Sequence, residues 1–211
     1  MPGQAISLNE HRRALRRAGV RRSTRSSAVR LPNAVIGTLV FVGAEAMFFA
    51  GLISAFLVLR AASEVWPPAD QPRLPLLVTT INTLVLLASA YTMQRAVRAN
   101  RAAHGLSTSE WLGATLLLGV VFLAVQGSEW VRLLSYGFHA TSSLYSATFY
   151  VLIGAHGLHV LGAVIALTLV RRGALTGRDA SRFVAAVEAC RIYWFFVVGV
   201  WPILYVLVYL L

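Results

Sequence analysis

The stretch AVIGTLVFVGAEAMFFAGLISAFLVL, residues 34–59, decides the fold of this chain. Glu45 is its single charged residue, and the rest of the run is almost entirely apolar. About 20 residues of α-helix, at about 1.5 Å per residue, cross the roughly 30 Å of hydrocarbon in a bilayer. The stretch is therefore long and apolar enough to predict a transmembrane helix.

Four more apolar runs follow in a chain of 211 residues that is 57% hydrophobic and 13% charged. A soluble domain of this length needs a polar surface that such a composition cannot supply. Pro202 predicts a kink or break in the last run. The sequence predicts an all-α integral membrane bundle over residues 31–211, with five transmembrane spans at about 34–59, 75–94, 110–134, 143–170 and 190–211.

The segment before the first span, residues 1–30, is rich in arginine. We expect it to be a basic, flexible cytoplasmic arm that rests on anionic lipid. The single cysteine, Cys190, excludes an internal disulfide and a CxxC metal or redox site. The chain thus divides into an arm and a membrane domain.

The arginines also predict the orientation of the bundle. If the N-terminus lies inside, all but three of them fall on the cytoplasmic side, the exceptions being Arg60, Arg73 and Arg132. Cytoplasmic loops of membrane proteins carry an excess of Lys and Arg. We therefore expect the N-terminus inside and the C-terminus outside, and the net charge of +11 reflects topology rather than a nucleic-acid partner.

Three polar side chains inside the spans are candidate functional groups. Glu45 lies near the middle of the first span, and Glu129 lies near the outer end of the third, with Gln126 one turn before it. Ionisable groups in hydrocarbon are costly unless they are paired or neutral, so they are functional candidates by default. The residues alone leave two interpretations open: proton storage or relay, and hydrogen-bonded packing.

Two histidines in the fourth span, His156 and His159, pose the question of a metal site. Side chains three residues apart share one helix face, about 5–6 Å apart, so they cannot bind a haem iron from opposite sides. The remaining histidines lie in the arm or in loops, at His11, His104 and His139. A haem sandwich within this chain is therefore excluded.

A metal chelate remains open if Glu45 joins the two histidines at similar depth. The alternative is a pair of neutral histidines that are hydrogen-bonded within the bundle. Small residues such as Gly43 and Gly157 flank these positions and allow close helix packing. We expect the first and fourth spans to pack together with Glu45 near His156.

Several fragments, in this order, resemble subunit III of haem–copper respiratory oxidases. They are GAEAMFFAGLISAFL (43–57), WPP (66–68), NTLVLLASAYTM (82–93), QGSEW (126–130), YSATFYVLIGAHGLHVLG (145–162) and YWFFVVGVWPILY (193–205). The resemblance covers roughly residues 31–211. The chain is similar to the short five-helix bacterial form of the family.

The resemblance implies a haem-free and copper-free helical bundle that lies beside the catalytic subunit I. It implies a non-catalytic role in a terminal oxidase that couples O2 reduction to proton translocation, stabilising subunit I and supporting proton uptake. The expected partners are subunits I and II and membrane phospholipids, in a bacterial plasma membrane. Haem and copper are expected in the partner subunits. The longer members of the family have a lipid-filled cleft between their first two helices.

The resemblance also assigns site residues. Glu45 matches the buried glutamate of the family, Gln126 and Glu129 match its Q-x-x-E motif, and His156 and His159 match its H-G-L-H-V motif. It therefore favours a packing and hydrogen-bonding role for the histidines over a metal site, and it implies no catalytic residue in this chain.

Four tryptophans are candidate contacts with lipid or with a partner subunit: Trp66, Trp130, Trp194 and Trp201. Glu188 is a fifth candidate, because it aligns with a glutamate that precedes the last helix in the family. The last helix departs from the family pattern, with Phe195 in place of a His and Val198 in place of an Asp.

Two other functions are open from the sequence. One is a small proton-coupled transporter or channel that uses Glu45, although no inverted repeat is visible. The other is a subunit III-like component of a quinol oxidase or nitric oxide reductase complex.

Overall fold

The computed structural model describes residues 32–68, 75–102, 104–175 and 180–211, and the predicted arm of residues 1–30 lies outside them. The described part of the chain is helical and contains no strand. Each of its five long helices is long and apolar enough to cross a membrane, so the predicted all-α fold is confirmed. The helices are α1 (Asn33–Ala61), α2 (Leu76–Arg101), α3 (Gly105–Ser135), α4 (Leu144–Leu175) and α5 (Ala180–Tyr205).

Four of the helices form a closed ring, and α1 packs on its outside. In the ring, α2 contacts α3, α3 contacts α4, α4 contacts α5, and α5 returns to α2. Helix α1 contacts α5 and, over a smaller area, α4. Only 11% of its most apolar stretch is buried, compared with 44% in α5. Most of α1 is therefore available to lipid or to a partner.

Several helices extend beyond the predicted spans at the ends that carry the arginines. Helix α2 continues to Arg101, and α5 begins at Ala180, well before the predicted start at residue 190. Hydropathy locates the segment that lies in hydrocarbon, whereas Ala, Arg and Glu favour helix in water as well. The helical ends thus extend past the apolar runs.

The core of the ring contains Trp194 and Trp201, both 0% exposed. The Nε1 of Trp194 donates to Ser89 Oγ at 3.1 Å, and that of Trp201 donates to Thr83 Oγ1 at 2.9 Å. A Cβ added to Gly119 would lie 2.6 Å from the Trp194 ring, so α3 needs a glycine there. The prediction that these two tryptophans are lipid or interface contacts is wrong, because polar partners on α2 hold their indoles inside.

The predicted break at Pro202 is displaced along the chain. Helix α5 continues through Pro202 as far as Tyr205, and a π-helical turn, Val206–Leu210, follows it. This turn places Tyr209 in the bundle, where it is 9% exposed. The end of the chain therefore contributes a phenol to the interior.

Candidate functional site

Glu45 on α1 and His159 on α4 form a side-chain hydrogen bond that joins α1 to the ring. Glu45 Oε2 lies 2.7 Å from His159 Nε2, and the two side chains are 18% and 17% exposed. The other ring nitrogen, Nδ1, lies 2.6 Å from the carbonyl oxygen of Ala155. A carbonyl can only accept, so Nδ1 carries a hydrogen and donates it.

The hydrogen bond from His159 Nδ1 to Ala155 limits the protonation states that Glu45 and His159 can adopt together. A neutral His159 then has a lone pair on Nε2, so Glu45 must be a protonated acid that donates to it. If Glu45 is instead ionised, His159 is an imidazolium that donates to the carboxylate. In both forms one proton lies between the two atoms and the pair is neutral overall, which lowers the cost of placing two ionisable groups at membrane depth.

Aromatic side chains surround the pair. The Phe49 ring meets the His159 ring edge-on at 4.9 Å, and the Phe48 ring stacks on it at 6.0 Å. The hydroxyl of Tyr193 lies 3.4 Å from the carbonyl oxygen of His159. These rings restrict access of water and strengthen the electrostatic interaction between Glu45 and His159.

His156 has a different environment from its neighbour. It is 0% exposed, its ring stacks on Trp201 at 4.9 Å, and it meets the edges of Phe49 and Phe122. Neither ring nitrogen has a hydrogen-bond partner among the described residues. His156 is therefore a packing residue in the ring interior.

The prediction that Glu45 lies next to His156 is wrong, because its partner is His159. The predicted contact between the first and fourth spans is present, but it is made through His159 and not His156. Three residues of helix rotate a side chain by about 60° from its starting direction. That rotation turns His159 towards α1 and leaves His156 facing Trp201 and Phe122.

The chelate of Glu45 with both histidines, which the sequence left open, is not formed in the described part of the chain, where Glu45 bonds to His159. Among the described residues no group of three or more His, Cys, Asp or Glu side chains is arranged to hold a metal ion. His159 uses both ring nitrogens in hydrogen bonds, and His156 is enclosed by aromatic rings.

The second polar group, on α3, lies away from α1. Glu129 is 6% exposed and accepts from Arg132 Nη1 at 2.9 Å. One turn earlier, Gln126 Nε2 donates to the hydroxyl of Tyr209 at 3.1 Å. Both predicted residues are therefore buried and partnered, and neither contacts the Glu45–His159 pair.

The other predicted contacts are half-buried. The Trp66 ring packs edge-on against Phe56 and Tyr145, at 5.7 and 5.1 Å. The Trp130 ring meets Tyr150 at 5.8 Å. In these positions both indoles join loop or helix ends to the bundle and keep part of their surface exposed.

Glu188 forms ion pairs at the arginine-rich end of the bundle. It accepts from Arg191 on its own helix, and Arg101 Nη2 on α2 lies 3.5 Å from it. Both sites of departure from the family pattern lie farther along α5. Phe195 is 37% exposed with the Arg191 guanidinium 6.0 Å from its ring, and Val198 is 4% exposed.

A cleft of about 370 Å³ separates α1 from α4 and α5 and was not predicted from the sequence. Tyr193 and Phe41 border it, and its other walls are mostly small side chains, among them Ala166, Ala186 and Cys190. The spaced alanines of α5 could have indicated the cleft. However, apolar helices carry small residues on several faces, so the alanines alone do not show which face borders a cleft.

The polar side of α2 was not predicted from the sequence either. Thr79, Asn82, Thr83 and Ser89 are buried there, and Asn82 Nδ2 donates to the carbonyl oxygen of Phe122 at 3.1 Å. Their spacing of three, four and seven residues is that of one helix face. This spacing could have identified the face of α2 that meets the tryptophans of α5.

Comparison with known proteins decides the family. A family model described as cytochrome c oxidase subunit III matches residues 13–211. The chain belongs to this family. Its match covers the membrane domain, including the helices that carry Glu45 and His159.

Bacterial members of the cytochrome c oxidase subunit III family are similar over most of the chain. A cytochrome c oxidase subunit 3 from Synechocystis is 36% identical over 178 residues, covering 84% of this chain and 75% of the relative. A probable cytochrome c oxidase subunit 3 from Nocardia farcinica is 38% identical, covering 84% and 88%. Another from Mycobacterium leprae is 36% identical, covering 89% and 93%.

Proposed function

We propose that the chain is the non-catalytic subunit III of a haem–copper terminal oxidase, in which subunits I and II carry the haem and copper. The match to the subunit III family along nearly the whole chain carries this proposal. The histidine contacts support it, because His159 bonds to Glu45 and Ala155, and His156 packs among aromatic rings. Electrons from cytochrome c would reduce O2 in the partner, and this chain would stabilise that partner.

The role we propose for the Glu45–His159 pair is to hold a proton close to the oxidase. The pair keeps one proton between Oε2 and Nε2 in either of its neutral arrangements. It is partly exposed at the contact between α1 and α4. A held proton at this depth would support proton uptake by the partner subunit.

The membrane environment completes the proposal. We place the chain in a bacterial plasma membrane with the arginine-rich ends in the cytoplasm. Phospholipid acyl chains would fill the cleft of about 370 Å³ beside α1, because its walls are mostly apolar side chains. Nucleic acid has no part in this function.

Purification of the tagged chain in a mild detergent tests the proposed function. We expect it to bring down larger subunits that contain haem and copper, with the reduced-minus-oxidised spectrum of a terminal oxidase. An untagged strain that goes through the same steps is the control for contaminating oxidase.

Three results would contradict the proposal. A haem-free chain that purifies alone would favour the transporter or channel. Haem that remains on the isolated chain would indicate a cytochrome subunit. A complex that reduces nitric oxide would identify the chain as part of a nitric oxide reductase. A complex that oxidises only quinol would identify it as part of a quinol oxidase.

A further inference from the structure

Two polar side chains in the interior of the ring have unused hydrogen-bonding capacity. His156 on α4 is 0% exposed, and neither of its ring nitrogens has a partner among the described residues. Asn82 on α2 is 2% exposed, and its Oδ1 is also buried without a partner in that part of the chain, although its Nδ2 donates to Phe122. Buried polar groups in folded proteins are usually paired with another protein group or with ordered water, because an unpaired group destabilises the folded state.

His156 and Asn82 lie in one layer of the ring, although α4 and α2 are on opposite sides of it. The His156 ring stacks on Trp201 of α5 at 4.9 Å and is nearly perpendicular to the Phe122 ring of α3 at 6.1 Å. The Phe122 and Trp201 rings are themselves 5.0 Å apart. Asn82 donates to the carbonyl oxygen of Phe122, and its neighbour Thr83 accepts from Trp201 Nε1. The same two aromatic residues therefore contact His156 on one side and α2 on the other.

The hydrogen-bonding groups of the two residues are complementary. A neutral histidine has one N–H donor, and Asn82 Oδ1 is an acceptor. A protonated His156 would need a second acceptor and an opposite charge, whereas its neighbours are aromatic rings. Its N–H cannot point at the face of Trp201, because the two ring planes are only 29° apart and the N–H bond lies in the imidazole plane. The donor therefore points away from Trp201 and into the layer that contains Asn82.

A water molecule is the ligand that fits this pair of groups. It can accept from the His156 N–H and donate to Asn82 Oδ1, and buried waters in proteins make about three such hydrogen bonds. An acyl chain has neither donors nor acceptors. A direct bond between the two side chains is not formed in the structure, because Asn82 Oδ1 has no partner among the described residues.

From these observations we infer that the centre of the ring binds an ordered water molecule, which accepts from a ring N–H of His156 and donates to Oδ1 of Asn82. The water joins α4 to α2 across the ring. The site is separate from the Glu45–His159 pair, because His159 is turned towards α1 whereas His156 faces the ring interior. It gives His156 a hydrogen-bonding role in addition to its packing role, and it does not depend on the proposed function.

A density map of the purified full chain, at a resolution that shows ordered waters, tests the site directly. We expect a water peak about 2.7–3.2 Å from one ring nitrogen of His156 and from Oδ1 of Asn82. A map in which the two side chains bond to each other, or in which no peak lies beside His156, would overturn the inference. The map can be interpreted whether or not subunits with haem copurify.

A double-mutant cycle tests the bridge in solution. His156→Phe and Asn82→Leu each remove one end of it and introduce an apolar side chain of similar size. Because the loss of either end already breaks the bridge, the double variant should lose about 2–4 °C less in melting temperature than the sum of the two single losses. Melting is followed with a thiol-reactive dye, which reports exposure of the buried Cys190. Additive losses, or a higher melting temperature for His156→Phe, would overturn the inference.

The matched control is a second cycle that combines His156→Phe with Ser89→Ala. Ser89 is also buried on α2, but it accepts from Trp194 Nε1. We expect these two losses to add. Coupling of the same size in both cycles would show that His156 is coupled to α2 through packing alone and would contradict the water bridge. If His156→Phe does not yield a folded chain, the density map of the wild type decides.

Discussion

Glu45 and His159 lie 2.7 Å apart, and the donation from His159 Nδ1 to Ala155 means that one proton is shared between them. The pair connects the outlying helix α1, which is mostly unburied, to α4. The same hydrogen bond therefore joins the helix to α4 and, in the proposed function, holds the proton.

Two substitutions of Glu45 should show whether its side chain is hydrogen-bonded to His159. Glu45→Ala leaves His159 Nε2 without a partner and should destabilise the chain by about 1–2 kcal/mol. Glu45→Gln should cost less, because its amide can donate to Nε2 as the protonated acid does. Thermal unfolding followed at Cys190 measures both. Equal destabilisation by Ala and Gln would contradict the hydrogen-bonded pair.

The substitution Gly119→Ala should be one of the most damaging single-methyl additions. Its Cβ would lie 2.6 Å from a fully buried and rigid Trp194 ring, so overpacking should cost about 1–3 kcal/mol. Gly37→Ala on α1, where the added carbon meets no atom within 4 Å, should be neutral or slightly stabilising. Similar melting temperatures for the two variants would show that α3 and α5 are not this close.

Removal of one hydroxyl tests the burial of the tryptophans. Ser89→Ala leaves the Trp194 Nε1–H without its acceptor in a fully buried site, at an expected cost of about 1–3 kcal/mol. Thr92→Ala, on the same helix, loses a half-buried hydroxyl that bonds to Thr115 and should cost less. The free energies of unfolding of the two variants in detergent are compared. An unchanged value for Ser89→Ala would contradict the hydrogen bond from Trp194 to Ser89.

The predicted orientation can be measured with cysteines placed in the loops. His104→Cys, between α2 and α3, should react with a membrane-impermeant thiol reagent only after the cells are opened. His139→Cys, between α3 and α4, should react in intact cells. The native Cys190 is buried and gives little background. The reverse pattern would place the N-terminus outside.

Hydropathy was sufficient to predict the five helices, because each span depends on a local property of the sequence. The positions of Glu45 and the histidines along their helices also predicted that α1 and α4 meet. These features depend on depth in the membrane, which the sequence specifies directly.

The sequence does not specify in the same way which side of each helix faces the bundle. In a helix that is apolar on all sides, no polar face indicates which side is buried. The sequence therefore assigned Glu45 to His156 instead of His159 and placed Trp201 at an interface. The ring contacts that orient these residues come from other helices, so a single helix does not reveal them.

The most direct test of the central claim is the haem and copper content of the chain after its release from the purified complex with a stronger detergent. We predict that the haem and copper stay with the other subunits and that the released chain contains neither. Haem or copper that remains bound to the released chain would contradict its assignment as a non-catalytic subunit of the oxidase.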